Sequence, residues 1–252
     1  MIKIGIIGGS GLENLSLFKE KKELIITTKF GNPSSTLYTG RVNETEIAII
    51  SRHDRDHSIT PSHVNNRANI LSLKDAGCTH IIATTACGSL RQEIERGEMV
   101  IPDQFIDFTR HRAITFHDKF ENGKIIHTQM ADPFNETLRR ILSYSAKENN
   151  LKHHSKGTVI TIEGPRFSTR AESNMFRLWG ADIINMSTAP EAILANEAGI
   201  PYAAIALSTD YDCWKTDEAP VTWDEILKVF NKNVENVTIL LLDAISKMRD
   251  SL

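Results

Sequence analysis

The sequence predicts an α/β protein, a single domain over residues 1–252 with a central mixed, largely parallel β-sheet flanked by helices. Six apolar, β-branched runs end abruptly in small, hydroxylic or charged residues: Ile4–Gly11, Ile47–His53, Ile81–Ser89, Val159–Phe167, Ile183–Glu191 and Ala203–Asp212. Such runs read as strands buried on both faces. Segments of helical period with recognisable stops lie between several of them, and strands alternating with helices pair in parallel under two helical layers. A chain of 252 residues is within the length that doubly wound sheets reach as one domain.

In chain order, Ile2-Lys3-Ile4 opens the first strand, which runs into Gly5-Ile6-Ile7-Gly8-Gly9-Ser10-Gly11. Glu46–Ile50 is the next apolar strand and leads into Ser51-Arg52-His53. A helix is predicted from Pro61, a first-turn proline after Thr60; Val64, Ala68 and Leu71 keep one face and Gly77 supplies the stop. The strand ending in Thr84–Ser89 reads as the most central. Arg110–Asn135 is irregular and rich in His and Lys, so it reads as a long excursion from the sheet, of the kind that meets a neighbouring subunit. Ser168 to Trp179 is a second helix closed by Gly180, and a third starts at Pro190 and closes at Gly199. Thr222 and Glu225 form a capping-box pattern ahead of Ile226, Leu227, Phe230, Val234, Val237 and Leu241, which makes a long amphipathic helix.

A formal charge of −3 and the lack of a basic run leave no electrostatic footprint for nucleic acid. No stretch of about eighteen apolar residues is present to span a membrane. Cys78, Cys87 and Cys213 lack paired spacing, as reduced thiols do. Met1 leads directly into a strand, without the regions of a secretory leader. A soluble, cytoplasmic protein is expected, with neither nucleic acid nor membrane as partner.

The polar ends of the six runs fall where open α/β sheets place ligands, beyond the carboxyl ends of strands. They supply a basic pair (Arg52, His53), hydroxyls and amides (Ser10, Thr85, Ser187), an aromatic (Phe167) and two carboxylates (Asp210, Asp212). This set suits a phosphate-using reaction on a heterocyclic substrate. The glycine turn fails the dinucleotide fingerprint, whose third glycine would fall on Asn14, and lacks the Gly-Lys-Ser/Thr ending of a P-loop. Leu12 stands where the serine-hydrolase elbow needs glycine. What remains is a turn with exposed amides and the Ser10 hydroxyl, able to cradle one phosphate.

A guanidinium beside an imidazole, Arg52 and His53, can clamp two phosphate oxygens, and Thr85 with the amides after it can hold the same anion. His57 and His63 read as solvated or core-satisfied, because Arg52 and Arg55 make a poor field for a dication; no metal is expected. Cys87 reads as a small buried thiol rather than a nucleophile. Gly164-Pro165 makes a sharp turn that delivers Phe167 either over a heterocycle or into the core. Asp210 and Asp212 flank Tyr211, so in extended backbone both carboxylates point the same way. So placed, they can act as acid and base, bind a metal, or meet the edge of an amino-substituted base; a carboxyl of raised pKa can protonate a ring nitrogen.

The motifs Gly8-Gly9-Ser10-Gly11-Leu12, Ser51-Arg52-His53, Thr84–Leu90, Glu163–Phe167, Asn185-Met186-Ser187 and Asp210-Tyr211-Asp212-Cys213-Trp214 occur in order between Ile4 and about Leu227. Together they resemble the trimeric purine nucleoside phosphorylase family, and within it the 5′-methylthioadenosine phosphorylases. The resemblance implies a nucleoside phosphorylase-like fold and a pentosyl transfer: inorganic phosphate cleaves 5′-methylthioadenosine to adenine and 5-methylthioribose 1-phosphate. Phosphate is then a co-substrate, and no cofactor or metal is needed. By the same resemblance Ser10, Arg52, His53, Thr85, Ala86 and Ser187 hold phosphate, Met186 lies along the ribose, and Phe167 stacks on the base. Asp210 is the catalytic group, supplying or sharing the proton at N7, and Asp212 accepts from the exocyclic amino group.

A 5′-substituent pocket is implied at Val221, Trp223, Ile226 and Leu227, with His127 arriving from a neighbouring subunit of a homotrimer. Trp223 is bulkier than the small apolar residue of the family pattern, and the chain stops short of the C-terminal extension some relatives carry. Adenosine or 6-oxopurine nucleosides are therefore the alternative substrates, and a non-catalytic nucleoside sensor the remote one. A carboxylate at position 212 favours a 6-amino group, since a 6-oxo group would set acceptor against acceptor.

Overall fold

The structure is a computed structural model, and it describes residues 2–8, 19–120, 123–217 and 222–251. The six apolar runs form β1 (Lys3–Gly8), β4 (Thr45–Ser51), β5 (His80–Ser89), β9 (Thr158–Ile162), β10 (Ile183–Asn185) and β11 (Tyr202–Tyr211). The remaining strands are β2 (Lys19–Leu24), β3 (Leu37–Val42), β6 (Met99–Val100), β7 (Gln104–Phe108) and β8 (His153–His154). All belong to one mixed sheet, with the path β2-β3-β4-β1-β5-β10-β9-β7, and β11, β6 and β8 branching from β5.

Five α-helices are described: α1 (Asn66–Asp75), α2 (Glu136–Glu148), α3 (Arg170–Leu178), α4 (Thr188–Glu197) and α5 (Trp223–Ser251). Burial on both strand faces has its cause in where they pack. Ile4, Ile6, Ile47 and Ile82 lie against Leu138 and Leu142 of α2 and Phe230, Val237 and Leu241 of α5. The opposite faces, through Ile7, Ile50, Ile81 and Ala83, meet Ile70 and Leu73 of α1 and Ala192, Leu194 and Ala195 of α4. A smaller cluster seats Phe176 of α3 against Ile160, Ile162 and Ile184.

Helix ends follow local chemistry. The helix predicted from Pro61 is a separate 3₁₀ turn, Pro61–His63; α1 begins after Asn65, whose side chain accepts from the Ala68 amide. Thr169 and Glu172 form a reciprocal capping box at α3, and α4 starts at Thr188, two residues ahead of Pro190. At α5 the Thr222 hydroxyl accepts from the Glu225 amide at 3.3 Å while the Glu225 carboxylate accepts from the Thr222 amide at 3.2 Å. The described part of Arg110–Asn135 contains neither helix nor strand.

One feature of the sheet positions the site. β1 runs parallel to β5 only through Ile7↔Ala83, and antiparallel β10 takes over at Ile184↔Gly88. β11 lines the other edge of β5 along its length. The β5 edge between Ala83 and Gly88 is therefore left between two diverging half-sheets, a topological switch point at the carboxyl ends of β1 and β4.

Candidate active site

That opening is a cavity of about 320 Å³, lined by Arg52, His53, Thr85, Ala86, Phe167, Met186, Ser187, Asp210, Asp212 and Ile226, among others. The structure thus gathers the ends of β4, β5, β9, β10 and β11 and the start of α5 around one space. Ser10 and Val221 lie outside the described residues, as does the side chain of Trp223. Leu227 is half-buried and does not line the cavity. His127 is exposed on the excursion, its ring edge-on to Phe120 at 6.0 Å, and lies away from the cavity of its own subunit.

One end of the cavity is built from hydrogen-bond donors. Arg52 extends the β1–β4 ladder through its amide, which donates to Gly8 O at 3.0 Å. Its buried guanidinium is held by Glu191, with Nε donating to Oε1 and Nη2 to Oε2 at 3.0 Å, while Nη1 donates to Thr84 O at 2.9 Å. His53 Nδ1 lies 2.9 Å from Ile59 O. A carbonyl only accepts, so Nδ1 carries the hydrogen and Nε2 is the ring's other hydrogen-bonding atom. The Thr85 and Ser187 hydroxyls meet at 3.1 Å. Ser187 occupies the N-cap of α4 and lines the cavity, while the first amides of this helix are taken up inside the protein, Thr188 donating to Asn185 Oδ1 at 3.4 Å and Ala189 to Thr161 Oγ1 at 3.0 Å.

The other end carries carboxylates. A β-bulge in β11 between Ser208 and Asp210 turns the strand, as bulges beside functional sites do. Thr209 Oγ1 ties it down, lying 3.2 Å from Cys87 O and 2.8 Å from Asp210 Oδ1. Asp210 and Asp212 are both buried yet reach the cavity. A Cβ at Gly88 would lie 3.0 Å from Asp210 Oδ2 and from Ile184 Cγ2, so glycine is what leaves room for this carboxylate. Burial pushes the Asp212 carboxyl above its ordinary range, with the Cys213 amide and the Ser168 hydroxyl opposing the shift. Asp212 Oδ2 is buried without a hydrogen-bond partner, a cost that an incoming N–H donor would remove. Burial, reinforced by Asp210, pushes the Cys87 thiol well above its usual range, which suits a neutral thiol better than a nucleophile.

Between the ends, Met186 and Phe167 face the cavity from neighbouring loops. Gly164 has φ +68° and would place a Cβ 2.5 Å from Met186 Sδ, so a side chain there is excluded twice over. Phe167 is 45% exposed and forms part of the rim rather than the core. The Glu163 carboxylate accepts from the Arg110 amide at 2.7 Å and from Arg112 Nε at 2.8 Å, and Arg112 Nη2 donates to Met186 O at 3.2 Å. The start of the excursion is thereby fastened to the turn that carries Phe167.

Asn185 and Gly88, which line the cavity, and Glu191, which holds Arg52, are assigned no role by the sequence motifs, and His57, expected as a solvated or core-satisfied histidine, lies at the cavity. His57 is indeed exposed, but it stacks on His53 with ring centroids 5.0 Å apart and lines the cavity mouth. A usable signal existed for Glu191, a carboxylate inside the otherwise apolar stretch Ala189–Ala195. Among the described residues, no group of three or more His, Cys, Asp or Glu side chains is placed to hold a metal ion. Likewise, no described helix is long and apolar enough to cross a membrane.

A doubly covered mixed sheet with a donor-rich pocket at its switch point defines a class of enzyme, and sequence comparison agrees with it. The Phosphorylase superfamily profile matches residues 3–246, and the chain belongs to that superfamily. It is 52% identical over 250 residues to the S-methyl-5′-thioadenosine phosphorylase of Xenopus tropicalis, spanning 98% of this chain and 89% of that protein. The Danio rerio enzyme of the same name is 47% identical over 249 residues, with 98% and 89% covered. In three dimensions, methylthioadenosine phosphorylase from Schistosoma mansoni in complex with adenine superposes with a TM-score of 0.95 at 42% identity, covering 99% of this chain and 93% of that one. A mutant of the adenosine/methylthioadenosine phosphorylase of that organism, in complex with methylthioadenosine, gives 0.94 at 41% identity, covering 99% and 92%.

Proposed function

We propose that the protein is a pentosyltransferase that cleaves 5′-methylthioadenosine with inorganic phosphate, releasing adenine and 5-methylthioribose 1-phosphate. The observation that carries this reading is a single cavity with hydrogen-bond donors at one end and two buried carboxylates at the other. Relatives named for this activity, about half identical over nearly the whole chain, support it.

Phosphate is held by Arg52, His53, Thr85, Ala86 and Ser187, assisted by Ser10. A phosphate oxygen attacks C1′ as the N-glycosidic bond breaks through an oxocarbenium-like state, which the adjacent phosphate charge stabilises. The bond's electron pair leaves with adenine, and Asp210 supplies or shares the proton taken up at N7. Asp212 accepts from the exocyclic amino group, meeting the oxygen that burial leaves unpartnered. Met186 packs along the ribose, Phe167 stacks on the base, and Ile226 with Val221 and Trp223 receives the methylthio group. No resident cofactor takes part.

The molecule acts as one nucleoside phosphorylase domain in a cytoplasmic homotrimer. The excursion, with Phe120, Ile125 and Ile126 exposed, meets the neighbouring subunit and brings His127 to its 5′ pocket. The test is adenine release from 5′-methylthioadenosine, adenosine and inosine, each with and without phosphate. Phosphate-dependent release, fastest from the methylthio substrate and negligible from inosine, is expected. Release without phosphate would make the protein a hydrolase, and no release would make it a nucleoside sensor.

A further inference from the structure

Resting on the phosphorolytic reading, we infer that Glu191 is a positioning residue for phosphate, setting the plane of the Arg52 guanidinium from outside the cavity. Glu191 is fully buried and is not among the residues that line the cavity. Both its oxygens are committed to Arg52, and Oε2 also accepts from Tyr202 OH at 2.9 Å. The guanidinium is thus fixed from two sides, by the carboxylate on Nε and Nη2 and by Thr84 O on Nη1.

Three elements converge there: α4 through Glu191, β11 through Tyr202, and the edge of β5 between β1 and β10 through buried Thr84. The same helix that brings Glu191 to Arg52 begins at Ser187, whose hydroxyl meets Thr85. One rigid segment therefore sets both the cation and the Ser187 hydroxyl of the anion-binding end. A flexible side chain held in one orientation loses less entropy when it binds a tetrahedral anion. The paired carboxylate also keeps the buried cation compensated before phosphate arrives. Recognition consequently depends on oriented donors more than on net charge.

Glu191→Gln keeps the shape but turns one acceptor into a donor facing Arg52. It should raise the phosphate KM about 10- to 100-fold, the range expected for a lost charge-assisted hydrogen bond. The nucleoside KM should stay within about twofold, and kcat at saturating phosphate within about threefold, because the reacting atoms are untouched. Tyr202→Phe should shift the phosphate KM in the same direction by about 2- to 5-fold, and Glu191→Asp should recover part of the loss seen with Gln.

Titration calorimetry with inorganic phosphate alone should reproduce the order wild type, Tyr202→Phe, Glu191→Gln. Phosphate and nucleoside KM rising together, or kcat falling at unchanged phosphate KM, would reduce Glu191 to a packing role and overturn the inference. Should Glu191→Gln fail to fold, an unchanged phosphate affinity in both Tyr202→Phe and Glu191→Asp overturns it equally. Wild-type protein without phosphate-dependent turnover would defeat the functional reading instead, and the calorimetric order would still decide this one.

Discussion

Asp210 and Asp212 stand two residues apart in the chain and are asked to do different work. In the proposed reaction the role of Asp210 grows as the base leaves. Asp210→Ala should therefore cut kcat by about 10²- to 10⁴-fold, the range for a lost general acid, while phosphate affinity changes far less. Steady-state kinetics with phosphate varied separates the two effects, and equal activity in the variant would remove the proton-donor assignment. Asp212 is an acceptor held in a buried setting that disfavours its charge. Asp212→Asn should lower the adenosine-over-inosine preference by about 10- to 100-fold, since the amide can turn a donor toward a 6-oxo group. An unchanged kcat/KM ratio would take Asp212 out of base recognition. Arg52, His53, Ser187 and these aspartates, which line one cavity, stand out in the sequence because each lies at or just beyond the end of a buried strand, and Thr85 because it is a hydroxyl within the apolar run of β5. Glu191 shows in the sequence only as a carboxylate in an apolar stretch, because its partner Arg52 lies 139 positions away.

At the scale of elements, α3 supports the loop that carries Phe167 and is held by its first turn. Thr169→Ala should cost about 1 kcal/mol of stability through the lost cap, read from denaturant unfolding. Glu172, paired with Arg166 and closing the capping box, has its pKa lowered from 4.5 to about 2. A carboxylate with a depressed folded pKa stabilises fully above its unfolded value and loses that contribution as pH falls. Stability should therefore decline through this residue between pH 4.5 and about 2, and Glu172→Gln should flatten the curve in that window. The six buried strands and the capping box of α5 were readable because burial on two faces and N-cap chemistry are written locally. β2, Lys-Glu-Lys-Lys-Glu-Leu, was not, because a charged edge strand has the composition of a solvated loop. α2 did carry a signal, Asn135 as cap with Leu138, Ile141 and Leu142 on one face, behind the irregular excursion.

For the molecule as a whole, the excursion joins surface to site. Its base is clipped to Glu163 and Met186 by Arg112, and further along it exposes Ile125 and Ile126. Ile125→Asp should shift the sedimentation of the proposed trimer toward monomer and raise the nucleoside KM more than the phosphate KM, because the neighbour's contribution falls on the 5′ side. A variant that remains trimeric would place the interface elsewhere. By itself the sequence determined six of the buried strands, the capped start of α5 and which polar residues sit near strand ends, because side-chain period, capping and turn chemistry act over a few residues. Tertiary structure decided that β10 joins β5 antiparallel where β1 leaves it, that a bulge aims Asp210, and that Glu191 grips Arg52. These depend on which distant surfaces exclude water together and which buried charges find a partner, and no local pattern encodes that.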